Sequence, residues 1–193
     1  MNNKRNEHMH ELNPTLWRTC RVLAGKTRML LLRQLQGKPG QSVSMLAQAV
    51  KVGLSDASQE LRRIQSRGLL HVDHKGPFVY YRLGADPQVP SAAPLVKTLK
   101  DFLSRSTPEQ DGEFIRIATG FAHARRIAIV QQLIQTPQTL PMLQSTLRIP
   151  QSALSHHADI LRRMGLVQRE GSWLIFSPPA HPLAQTLARL IRQ

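Results

Sequence analysis

Between Gln151 and Val167 the chain reads QSALSHHADILRRMGLV, a run of short polar side chains that can approach the edge of a base. On a helix, Leu154, Ala158 and Leu161 form one apolar stripe, and Gln151, Ser152, Ser155, His156 and Asp159 face the other way. Arg162 and Arg163 place positive charge in the last turn, where the helix dipole favours it, and Gly165 stops the helix. This is the layout of a helix whose first turns enter a DNA groove. His156 can donate to a guanine acceptor or to a phosphate, while Ser155, like Ser58 nearer the N-terminus, suits a phosphate or close-approach position.

A second set of the same chemistry lies nearer the N-terminus. Ser55, Asp56, Ser58, Gln59 and Arg62 would share the open face of a helix over 55–67, and the Gln59 amide can pair with adenine N6 and N7. Expected phosphate contacts come from Lys51 and Arg148 in the turns before the two helices, and from Lys75 and Arg169 near two hairpin tips. Arg28 and Arg126, each early in an earlier helix, complete that set. Asp56 and Glu60 weaken phosphate attraction in the first helix, so the second half is expected to dominate affinity and the first to adjust specificity.

The elements that must hold these residues follow from periodicity and turn chemistry. Pro141–Leu147 reads as a short helix with Met142, Leu143 and Leu147 inward, and Arg148-Ile149-Pro150 as a tight turn into the next helix. Two apolar runs around Glu170-Gly171-Ser172 predict a β-hairpin. Helix, turn, helix and hairpin is the winged-helix order. Ser155-His156-His157, the arginine pair and Gly165-Leu166-Val167 resemble the same run in ArsR-type (arsenic-repressor-like) transcription regulators. The return strand Phe78-Val79-Tyr80-Tyr81-Arg82-Leu83 resembles the wing of that family.

The module occurs twice. A shift of 97 residues lays Met45-Leu46 on Met142-Leu143, Lys51-Val52 on Arg148-Ile149, Ser55 on Ser152, Ser58 on Ser155 and Gly68-Leu69 on Gly165-Leu166. A shift of 98 lays Arg28 on Arg126 and Leu35 on Leu133, and a shift of 88 lays Pro94, Leu95 and Leu99 on Pro182, Leu183 and Leu187. Each copy therefore has an opening helix (14–23 and 113–121) and a closing helix (93–103 and 182–191). In the second helix of the first copy, Met29, Leu30, Leu32 and Leu35 are expected inward. The resemblance implies that opening and closing helices, which build the family's homodimer interface, would pair the two copies within one chain.

The expected fold is mostly α with small β-hairpin wings: tandem winged helix-turn-helix domains arranged as an intramolecular pseudo-dimer. Its parts are a first domain at 13–104, a polar linker at 105–112 and a second domain at 113–193.

Composition narrows the function. Among 193 residues, 26 Lys and Arg face 12 Asp and Glu, a formal charge of +14 that both halves share. A polyanionic partner follows, with nucleic acid ahead of a membrane surface. Aromatic content of 5% is thin for a single-strand stacking platform, which leaves double-stranded DNA. No apolar run is long enough to span a bilayer, and the N-terminus lacks a signal-peptide core. One cysteine, Cys20, rules out an internal disulfide and fits a reducing cytoplasm.

No metal or other cofactor is expected. His8 and His10 read as part of a loose terminus, and His71 with His74, and His156 with His157, are pairs without a third ligand. The positions where metal-sensing relatives carry cysteines hold Ser42, Val43, Ser44 and Met45, and Thr139 to Met142 in the second copy. No phosphate-cradling loop, metalloprotease helix or nucleophile elbow is present, so an enzyme is not expected. The expectation is a sequence-specific regulator of transcription, a repressor as most of the resembling family are, with its pairing satisfied inside a monomer. The rivals are a replication or partition initiator of a mobile element and a winged-helix protein-interaction scaffold.

Overall fold

In the computed structural model, residues 15–192 are described. His8, His10 and Pro14, the residue expected to open the first helix, lie outside them. The first half runs α1 (Leu16–Leu23), α2 (Lys26–Gly37), β1 (Gln41–Ser42), α3 (Val43–Val50), α4 (Leu54–Gln65), β2 (Leu70–Lys75), β3 (Phe78–Leu83) and α5 (Ala92–Arg105). The second half repeats that order: α6 (Asp111–Phe121), α7 (Ala124–Gln135), β4 (Gln138–Thr139), α8 (Leu140–Leu147), α9 (Gln151–Arg163), β5 (Val167–Glu170), β6 (Trp173–Phe176) and α10 (Pro182–Arg192).

Each half is a winged helix-turn-helix unit. The wings are antiparallel hairpins that turn at Gly76 and Gly171, whose φ values of 59° and 58° suit residues without a Cβ. Two short strands were not foreseen. Before each helix-turn-helix, β1 pairs with β3 and β4 with β6, so that each wing becomes a three-stranded sheet in the orders β1-β3-β2 and β4-β6-β5. At two residues each, they are too short to show a period.

The halves join through their outer helices. α1 packs on α6 and α5 on α10, forming one apolar core with both helix-turn-helix units. Thr98 and Thr186, which occupy equivalent positions in the two closing helices, bond hydroxyl to hydroxyl at 2.8 Å in that buried seam. A contact of a residue with its own counterpart is the mark of a two-fold interface. One tie breaks the symmetry: the Arg33 guanidinium reaches the carboxylate of Asp111 and donates to the main chain of Leu103, Ser106 and Thr107. The segment between the closing helix and the next opening helix is thus clasped, with a 3-10 turn at Pro108–Gln110 closed by a Thr107 capping box.

Two core expectations are corrected. Leu30 is 44% exposed and Leu31 takes the buried place, because α2 is covered on a face one residue further round. Met142 is likewise 44% exposed, leaving Leu143 as the buried anchor of α8.

Candidate nucleic-acid interface

The turn between α3 and α4 is built around Lys51, and that between α8 and α9 around Arg148. Their φ values of 56° and 51° make them the two non-glycine residues with positive φ among those described. A left-handed residue with a Cβ carries ~1–2 kcal/mol of strain, and glycine would carry none. Both units nevertheless place an exposed basic side chain at this turn, immediately before the exposed helix.

Neither α4 nor α9 has a side-chain cap: Gly53 precedes the one and Pro150 the other. Their first main-chain N–H groups stay open to an external acceptor such as a phosphate oxygen. On α4, Ser55, Gln59 and Arg62 are exposed and Ser58 half-buried; on α9, Gln151, Ser152 and His156 are exposed and Ser155 half-buried. These expected positions do share one open face in each unit. Gln59 donates to the Ser55 hydroxyl at 3.4 Å, one turn back, which holds its amide along the helix. Ala57, Leu61 and Ile64 bury the opposite side of α4, as Leu154, Ala158 and Leu161 do on α9.

At the wing tips, Lys75 lies over the Tyr80 ring at 5.6 Å and Arg169 donates to the Gly171 carbonyl at 2.9 Å, so both charges are exposed and held near the turns. Three further groups were missed. Leu54 opens α4 at 58% exposed, and Phe78 and Trp173 begin the two return strands at 59% and 45%. Leu54 lies just before the helix expected over 55–67, and it begins α4 on a first turn whose outer side is exposed. Phe78 and Trp173 adjoin a hairpin tip, where alternation no longer implies burial.

Arg28 and Arg126 require correction. Neither faces outward. Arg126 is 8% exposed and donates from Nε to the Gly120 carbonyl at 2.7 Å and from Nη2 to the Thr119 carbonyl at 2.9 Å. Arg28 makes the equivalent bonds to the Val22 and Arg21 carbonyls and pairs with Glu60. Both arginines close the C-terminal end of the opening helix before them, where orphan carbonyls need donors. Their match in the repeat reflects this structural duty.

The second unit carries a histidine stack with no counterpart in the first. His157, buried, lies 4.3 Å from His123, which lies 6.5 Å from Trp17 of α1. His123 caps α7 by accepting from the Arg125 N–H, while His157 Nδ1 is buried without a partner. Burial, then the neighbouring His123 and Arg126 charges, hold the His157 imidazole down at about 4. His123 is shifted in the same direction by burial and by Arg126, Arg125 and Arg21. Burial also pushes up the Cys20 thiol, which faces the core. Among the described residues, no three His, Cys, Asp or Glu side chains are grouped to hold a metal ion, and no helix is long and apolar enough to cross a membrane.

No match is found among curated proteins or among solved structures. A family model does match part of the chain. Residues 123–169, from the His123 cap through α7, α8 and α9 into β5, match the family described as "Bacterial regulatory protein, arsR family", so this stretch holds an arsR-family helix-turn-helix domain.

Proposed function

We propose that the chain is a sequence-specific, double-stranded-DNA-binding regulator of transcription that acts as a repressor. Its domains would be 13–104 and 113–193, joined through 105–112. The observation that carries this reading is the pair Lys51 and Arg148, two strained basic residues at the same turn of both units, each beside an uncapped, exposed helix. The arsR-family match over 123–169 supports it for the second unit.

In this reading α4 and α9 enter successive major grooves about one helical turn, ~34 Å, apart. Gln59 reads adenine from α4, and Gln151 and His156 read bases from α9, while Ser55, Ser58, Arg62, Ser152 and Ser155 fix the backbone and close approach. Lys75 and Arg169 contact phosphates from the wings. The side chains of the two helices differ, so the operator has two unlike half-sites, and its occupation excludes polymerase sterically. Selection of bound sites from random duplexes tests this. A motif with two unlike halves, bound ~10³-fold or more tighter than random DNA at equal salt, is expected. Binding with a steep salt slope and no motif overturns it.

A further inference from the structure

α1, the start of α2 and the end of α4 line an open cavity of about 450 Å³ whose walls carry five arginines and Trp17. Arg18 and Arg21 come from α1, Arg28 from α2, Arg63 from α4, and Arg67 from just beyond it. Among the described residues, the carboxylate paired with these arginines is Glu60, which takes both Arg28 and Arg63. Arg18 lies 5.0 Å from the Trp17 ring centre. Burial, and then the charge of Arg18, push the Arg67 guanidinium below its ordinary range. Glu60 offsets Arg28 and Arg63, so that among the described residues Arg18, Arg21 and Arg67 are the cavity arginines with no carboxylate partner.

The second unit does not repeat this site. Ile115, Thr119, Ile160 and Met164 stand at the positions of Trp17, Arg21, Arg63 and Arg67. Gly120, in place of Val22, brings α6 so close to its neighbours that an added Cβ would lie 2.3 Å from Leu166 Cδ1. Lys51 and Arg148, at the same turn, are by contrast basic in both units. Groups that track a duplex backbone should recur with the half-sites. A concave arginine set present once suits a ligand bound once per chain.

We propose that this cavity binds a small phosphate-bearing anion of at least two negative charges and no larger than a mononucleotide. Guanidinium groups grip phosphate oxygens bidentately, and the volume lies in the range of small-molecule pockets. The site stands independently of duplex recognition.

Calorimetric titration of the full chain with inorganic pyrophosphate, at about 0.15 M salt to screen diffuse attraction, tests it. One site per chain is expected. Arg21→Gln with Arg67→Gln should weaken binding at least ~10-fold, while the same charge loss at exposed Arg105→Gln with Arg192→Gln should leave it intact. Absence of saturable binding, or equal weakening by both pairs, overturns the proposal. It also falls if the Arg21/Arg67 pair weakens random-duplex binding as much as Lys51→Gln with Arg148→Gln, since the arginines would then be backbone contacts. A readout without any change in the cavity comes from Trp173→Phe, which leaves Trp17 as the sole tryptophan. Its emission should change saturably with pyrophosphate at the calorimetric midpoint, and an unchanged spectrum counts against the site.

Discussion

Arg126 and Lys51 are both arginine-or-lysine positions of the repeat, yet they have opposite duties, and substitutions separate them. Arg126 serves two main-chain carbonyls in the interior. Arg126→Met should lower unfolding free energy by about 2–3 kcal/mol in urea titration, with the duplex affinity of the folded protein unchanged. For Lys51→Gly and Arg148→Gly the signs reverse: relief of left-handed strain should leave stability equal or up to ~1 kcal/mol higher. Each change should reduce the slope of log affinity against log salt by ~1. His157 adds a pH effect. Its imidazole is neutral in the folded chain down to about 4, whereas unfolded histidine titrates near 6.5. Between those values the unfolded state binds more protons, so this contribution to stability is complete above pH 6.5 and is lost as pH falls toward 4. Urea midpoints measured across that window should fall on acidification, and His157→Gln should flatten the fall.

At the scale of elements, the seam between α6 and the α9–β5 corner depends on the missing side chain of Gly120. A Cβ there meets Leu166 at 2.3 Å and Met164 Cβ at 3.3 Å, with Leu166 fully buried. Gly120→Ala should therefore cost about 1–3 kcal/mol by thermal or chemical unfolding, despite alanine's better helix propensity. The helices and wings were legible because each carries a full apolar stripe or a turn glycine, and the repeat showed where each belongs. β1 and β4 were not legible, since two residues show no period and their pairing partners lie 34–40 positions away. The polar face of α4 and α9 could be read directly from side-chain types. The inward turn of Arg28 and Arg126 could not, because an arginine that closes a helix end has the same sequence signature as one that meets a phosphate. Leu30 against Leu31 shows a finer limit: four leucine-like residues in a row leave the covered face to whatever packs there, here α3, α4 and α5. His123 gave no signal, since its stacking on His157 and Trp17 joins three distant segments.

The whole molecule is organised by the seam of α1 with α6 and α5 with α10. Thr98 and Thr186 sit within it, and their hydroxyls satisfy one another, with Arg189 adding a 3.3 Å bond to Thr186. Thr186→Val should cost about 1–2 kcal/mol by stranding the Thr98 hydroxyl, and Thr98→Val less, because Arg189 still serves Thr186. The double replacement should cost less than the sum, which a double-mutant cycle in urea can read. Because that seam lies within one polypeptide, assembly of the two heads involves no encounter between chains and no loss at dilution. For a self-associating dimer below its dissociation constant, the fraction of target filled rises with the square of protein concentration. On the proposed function, with one chain filling one target, it should rise in simple proportion, so that chance fluctuations in copy number are passed on without amplification.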